Sequence, residues 1–130
     1  MAHKILLVDD NPDDIEITRV ALAELGREEE LEAVRRGEEA LARLRTAPDL
    51  PSLILLDLRT PGMSGIDTLR QIRADERLKN LPVVIVTASS SARDEQEAYA
   101  AGADGFLVKA FDMDQFGCDL DALLRCFLKY

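Results

Sequence analysis

Ser52-Leu53-Ile54-Leu55-Leu56-Asp57 is the stretch that decides the fold. Its apolar residues run without a polar break, the pattern of a strand buried on both faces. The run stops on an acid, ahead of a loop carrying Pro61-Gly62 and Gly65. Beyond that loop the apolar period becomes helical, with Ile66, Leu69 and Ile72 on one face. The same order of events occurs upstream. Lys4-Ile5-Leu6-Leu7-Val8 ends at Asp9-Asp10, and Asn11, Pro12 and Asp14 then read as a helix start. Asn11 supplies a cap, Pro12 has no orphan N–H, and Asp14 complements the dipole. Ile15, Leu22 and Leu25 make the inner stripe of this helix, with Thr18 filling the intervening turn, and Gly26 ends it.

Downstream the pattern repeats twice. Pro82-Val83-Val84-Ile85-Val86 is followed by Thr87, a serine-rich turn and a helix from about Ala92 to Ala101. Gly105-Phe106-Leu107-Val108 ends on Lys109, and Met113 to about Leu128 reads as the last helix. A weaker strand, Leu31-Glu32-Ala33-Val34, and a helix over Glu38–Leu44 with Ala40, Leu41 and Leu44 inward complete the set. Five apolar strands alternating with five helices imply an α/β, doubly wound parallel sheet with right-handed crossovers. In such sheets the site lies outside the carboxyl ends of the strands, at the switch in strand order. Asp9, Asp10, Asp57, Thr87 and Lys109 are therefore expected to converge.

The chain has 130 residues, the size of one domain, so a single unit over 1–130 without an output domain is expected. A net charge of -9 argues against nucleic acid and anionic membranes as direct partners. Apolar runs are far shorter than the roughly 20 residues of a membrane span, and the amino terminus carries no apolar leader region, so a cytoplasmic location is expected. Cys118 and Cys126 are eight apart on one helix, about 12 Å at 1.5 Å per residue, too far to bridge. They read as ordinary thiols.

Three carboxylates brought together repel, and such a site wants a cation. Mg²⁺ suits hard oxygen ligands and is commonly shared between carboxylates and phosphate. An EF-hand loop from Asp9 fails, because Asp14 stands where the turn glycine belongs and Val20 where the bidentate Glu belongs. Asp57 stands alone at its strand end and is the candidate nucleophile toward phosphorus. Lys109 offers a fixed positive charge and Thr87 a hydroxyl donor for phosphoryl oxygens.

The chain resembles the receiver domain of two-component response regulators. The matching pieces are Asp9-Asp10, the stretch from Leu55 through Asp57 to Pro61-Gly62-Met63-Ser64-Gly65, Val86-Thr87-Ala88, and Gly102 through Lys109. The resemblance implies a flavodoxin-like (βα)5 sandwich with sheet order 2-1-3-4-5. It implies that Asp57 accepts a phosphoryl group from a sensor histidine kinase and that Asp10, Asp57 and the Arg59 carbonyl hold Mg²⁺, with Asp9 helping through water. Thr87 and Lys109 would bind the phosphoryl oxygens, Ala88 would leave them room, and Thr87 and Phe106 would form the switch that alters the face of the fourth helix, fifth strand and fifth helix. The module would signal through that changed protein-binding surface, with at most slow self-dephosphorylation. One departure stands out: Ala110 follows the lysine where the family has proline, commonly after a cis bond, so a trans peptide with a shifted loop or a strained exception is expected. Val8-Asp9-Asp10-Asn11-Pro12-Asp13-Asp14-Ile15, Ala47-Pro48-Asp49-Leu50-Pro51 and Phe111-Asp112-Met113-Asp114-Gln115-Phe116 further resemble stand-alone regulators paired with phytochrome-type kinases.

Other residues carry plainer readings. Asp13 and Asp14 read as helix-start acids, Arg35, Arg36, Arg43 and Arg45 as solvated charges, and His3 as a surface residue. Phe127 and Tyr130 either cap the core or form, with Phe116 and Leu123, a homodimer seam on the C-terminal helix, the latter being favoured. The competing functions are a receiver-like scaffold that works without phosphorylation and an aspartyl-phosphate phosphohydrolase, the latter disfavoured because a short chain has little length for a substrate pocket.

Overall fold

The computed structural model describes residues 4–27, 31–60, 62–88, 91–109 and 113–127. The strands are β1 (Ile5–Val8), β2 (Leu31–Val34), β3 (Leu53–Leu56), β4 (Val83–Thr87) and β5 (Gly105–Val108). They alternate with α1 (Pro12–Glu24), α2 (Gly37–Thr46), α3 (Gly65–Ala74), α4 (Ala92–Ala100) and α5 (Met113–Phe127). All neighbouring strands pair in parallel, in the order β2-β1-β3-β4-β5. The flavodoxin-like fold and its strand order are as expected.

The apolar runs explain why the sheet is central. Every residue of β1, β3 and β4 is buried, and alternate side chains feed opposite layers. Leu6, Val8, Ile54, Leu56, Val83 and Ile85 pack with Leu41 and Leu44 of α2, Leu69 and Ile72 of α3, and Ala98 of α4. Ile5, Leu7, Leu53, Leu55, Val84 and Val86 pack with Ala21 and Leu22 of α1 and Phe116, Leu120 and Leu124 of α5. Each fully buried leucine or isoleucine contributes about 1.5–3 kcal/mol over its exposed state. In α4, by contrast, Ala98 is the single buried side chain.

Three expectations need correction. First, α2 runs over Gly37–Thr46, longer at both ends than Glu38–Leu44. It begins early because Gly37 packs on α3, where an added Cβ would lie 2.0 Å from Thr68 Oγ1. Second, Arg43 and Arg45 are half-exposed but paired: Arg43 with Glu32, and Arg45 with Asp75 at 3.5 Å and Gln71 at 3.4 Å. Third, Phe116 is only 3% exposed and belongs to the core between α1 and α5, while Leu123 and Phe127 pack partly buried against it. The inner stripe of an amphipathic helix had been read as an outer one. His3, Ala110 and Tyr130 lie outside the described residues, as does the Phe111-Asp112 part of the phytochrome-type motif.

Candidate functional site

Backbone pairing carries the strand ends to one place. Asp9 N–H donates to Val34 O at 3.0 Å and Asp57 N–H to Val8 O at 3.0 Å, so both acids continue the sheet ladder by one residue beyond β1 and β3. Lys109 N–H donates to Thr87 O at 2.7 Å and does the same for β5 and β4. Asp9 is 1% exposed, Asp57 9% and Thr87 2%, whereas Asp10 is partly exposed. Asn11 caps α1 by accepting from Asp13 N–H at 2.9 Å, and its own N–H donates to Asp9 Oδ1 at 3.0 Å, turning the chain sharply after the acidic pair. Past Asp57, the loop folds back so closely that a Cβ on Gly65 would lie 2.3 Å from the Asp57 carbonyl oxygen. Glycine is needed there for α3 to start against the acid's own backbone.

One oxygen from each of Asp9, Asp10 and Asp57 lies within 4.8 Å of the other two. Opposite ligands of an octahedral Mg²⁺ are about 4.2 Å apart, so this trio of hard oxygens can close on one ion with small side-chain adjustments. The donor set fits Mg²⁺. Asp57 Oδ1 accepts from Arg59 N–H at 3.2 Å, which keeps the Arg59 backbone beside the trio. The Arg59 side chain is turned outward, 80% exposed, with Asp94 of α4 3.9 Å away.

Lys109 is held by three acids. Its Nζ donates to Asp14 Oδ2 at 2.8 Å, Asp9 Oδ2 at 2.9 Å and Asp57 Oδ2 at 3.2 Å. Burial pulls the Lys109 ammonium down in pKa, but hydrogen bonds to Asp14 and Asp9 and the charge of Asp57 override it and leave the group raised, hence permanently charged. Burial likewise pushes the Asp9 carboxyl up, and the bonds from Lys109 and Asn11 only partly offset this. The cluster therefore holds more negative charge than one lysine neutralises. An open cleft of ≈ 450 Å³ lies over it, lined by Asp10, Asp57, Thr87, Ala88 and Lys109 among others. Thr87 alternates with Val83 and Ile85 and so shares their sheet face, where Phe106 packs partly buried.

A response regulator receiver domain matches residues 5–118. The chain belongs to that family. The receiver is similar over its whole length to the uncharacterized transcriptional regulatory protein YrkP of Bacillus subtilis, with 32% identity, and spans about half (53%) of that relative. In structure it is similar to the phosphorylated cyanobacterial phytochrome response regulator RcpA, with TM-score 0.90, 32% identity, and 99% of this chain and 96% of that one covered. It also matches the receiver domain of the sensor histidine kinase PA1611 from Pseudomonas aeruginosa, with a magnesium ion coordinated in its active site cleft, at TM-score 0.83, 27% identity and full coverage of both chains. Receivers of this family are phosphoacceptors that bind Mg²⁺ in an acidic pocket, and the Asp9-Asp10-Asp57 trio fits that pocket.

The structure places Asp9, Asp10, Asp57, Arg59, Thr87 and Lys109 around one cleft and Phe106 away from it in the adjoining core layer, and two further residues that were missed lie beside the cluster. Asp14 was read as a helix-start acid, yet it makes the shortest contact to Lys109, across 95 positions of chain. Glu38 of α2 accepts from Met63 N–H at 3.2 Å and lies against Gly62, tying the loop after Asp57 to the neighbouring helix. No local pattern could reveal either partner; the Asp13-Asp14 doublet was the one available hint. Asp13 remains an exposed first-turn acid.

Proposed function

We propose that this receiver accepts a phosphoryl group on Asp57 from a phosphohistidine of a sensor histidine kinase and signals through the face formed by α4, β5 and α5. The observation that supports it best is Asp57 itself: a buried carboxylate with one oxygen on the Arg59 amide and the other on Lys109, beside two further acids that can share a cation. A carboxylate oxygen of Asp57 attacks phosphorus, the O–P bond forms as the N–P bond to the donor imidazole breaks, and the imidazole leaves to be protonated. Asp9, Asp10, Asp57 and the Arg59 carbonyl would hold Mg²⁺, which supplies positive charge against the equatorial oxygens when bound. Lys109 and Thr87 hold the transferred oxygens, and Ala88 leaves them space. Thr87 then draws toward the phosphoryl group, and Phe106, on the same sheet face, moves with it into the layer beneath α4. That helix can respond because Ala98 is its single buried side chain.

The resemblance to RcpA supports a phytochrome-type kinase as donor. The acidic net charge supports output through protein contacts and not through nucleic acid. No helix among the described residues is long and apolar enough to cross a membrane. A reducing cytoplasm suits the two exposed free thiols, Cys118 and Cys126. A homodimer would use the α4–β5–α5 face, where Tyr99 is 48% and Val108 36% exposed, instead of the buried Phe116. Light scattering with and without phosphorylation tests the dimer.

Incubation with acetyl phosphate and Mg²⁺ followed by intact-mass measurement should add one phosphoryl group to the native chain and none to Asp57→Asn. An unmodified native chain would favour the phosphorylation-independent scaffold.

A further inference from the structure

Three acids bind the Lys109 ammonium, and two of them, Asp9 and Asp57, also belong to the trio that can close on a cation. Asp14 does not. It sits in the first turn of α1, where the helix dipole favours an anion, with its side chain 27% exposed. Its backbone is fixed, because the Thr18 hydroxyl donates to the Asp14 carbonyl at 3.0 Å. Among the described residues, the small space between α1 and α5 next to Lys109 is otherwise lined by Ile17, Thr18 and Phe116, none of them an anion.

An ammonium with three donors that loses two carboxylates to a cation must find new partners or repel the ion. We propose that Asp14 is a positioning residue that retains Lys109 when Mg²⁺ takes Asp9 and Asp57, holding the ammonium at the edge of the cleft and ready for phosphoryl oxygens. The proposal rests on the metal reading of Asp9, Asp10 and Asp57. It gives Asp14 a task that a helix-start acid does not have. A first-turn acid acts on its own helix, whereas this one acts through a lysine on the far side of the site. Without Asp14, Lys109 falls back on Asp9 and Asp57 and competes with the ion for the same two carboxylates.

The test is a double-mutant cycle on the full chain, read by calorimetric titration with Mg²⁺ alone. Asp14→Asn should weaken Mg²⁺ binding about fivefold in the native background and less than about twofold in a Lys109→Met background. Asp14→Glu should restore most of the affinity. Lysine-selective ¹⁵N NMR provides a second readout: the Lys109 ammonium signal, protected from exchange by its ion pair, should persist in the Mg²⁺-saturated native chain and vanish in Asp14→Asn. Equal losses in both backgrounds would make Asp14 a mere distant charge, and no loss, tighter binding, or a persisting Lys109 signal in Asp14→Asn would each overturn the proposal. If the native chain bound no Mg²⁺, the metal reading would fall and take this inference with it, a result separable from a failure of Asp14 alone.

Discussion

Two basic side chains are buried to nearly the same depth, Arg73 at 20% and Lys109 at 18% exposure, and their surroundings differ in kind. Arg73, near the end of α3, donates to Gly102 O at 2.9 Å, Lys79 O at 3.0 Å, Leu81 O at 2.7 Å and Asp104 Oδ2 at 2.9 Å. Asp104 in turn accepts from Val83 N–H at 2.9 Å, so the cluster closes on itself with one positive and one negative charge. Gly102 lets the α4–β5 turn approach, with φ +108 and the Arg73 side chain only 3.0 Å from where a Cβ would stand. Lys109 instead faces carboxylates that outnumber it. A polar cluster that satisfies itself is a structural tie, whereas one that keeps excess charge is complete only with something from outside.

The comparison breaks most visibly on exchanging the two cations for neutral side chains. Lys109→Met should slow phosphorylation by acetyl phosphate about 100-fold, because a preorganised charge on the transferring oxygens is lost, while the fold survives. Arg73→Ala should do the reverse. It strands Asp104 and three carbonyls and should cost about 2–3 kcal/mol in chemical denaturation, with the phosphorylation rate of the folded fraction nearly unchanged. If the two variants behaved alike, the distinction between tie and site would be lost.

A smaller effect sharpens the charge argument. Burial disfavours the ionised form of Asp9, so Asp9→Asn should slightly stabilise the metal-free chain in EDTA and remove the extra stability that Mg²⁺ gives the native chain. Thermal melts with and without Mg²⁺ read both. The pH dependence follows from the same group. With its folded pKa above the ordinary 3.8, Asp9 binds a proton more readily in the fold than in the open chain. Stability of the metal-free protein therefore falls as pH rises through the window just above 3.8, and Mg²⁺ affinity rises through that window as the proton leaves. Lys109, raised from 10.5, contributes its stability fully below that value and loses it only as pH climbs through the higher folded one, so it adds no slope in acid. Calorimetric titrations from about pH 4 to about pH 7 should show the rise in affinity, and a flat profile would contradict it.

The smallest expected effect belongs to the loop tie. Glu38→Ala should weaken Mg²⁺ binding about twofold to threefold by loosening the Met63 amide, with Glu38→Gln retaining most of it, since the exposed bond at 3.2 Å is worth about 0.5–1 kcal/mol.

The strands and the residues at their ends were legible because burial on both faces leaves an unbroken apolar run and any acid, hydroxyl or lysine ending it is conspicuous. Strand boundaries differ by at most about one residue from the expected ones, since sheet ends fray where pairing ends. The helices were less legible. In α1 Thr18 and Leu22 are buried as expected, but Ala21, too small to stand out in an apolar stripe, is buried as well, and Ile15 and Leu25 are only partly covered. Phe116 was placed outside because α5 carries apolar residues on more than one face and only its packing against α1 tells which is inner. Asp14, Glu38 and Arg73 were missed for a shared reason: each acts on a partner 25 or more positions away, and nothing in their own neighbourhoods differs from ordinary helix charges.

The central claim is that Asp57 carries the phosphoryl group, and the most direct measurement is to locate it chemically. Sodium borohydride converts an aspartyl phosphate, but not a free carboxylate, to homoserine, and trypsin then releases residues 46–59 as one peptide holding both Asp49 and Asp57. After acetyl phosphate and Mg²⁺, fragmentation of that peptide should find homoserine at position 57 and aspartate at 49. Homoserine at Asp9 or Asp10 instead, or at no position in a chain that gained phosphoryl mass, would contradict the account.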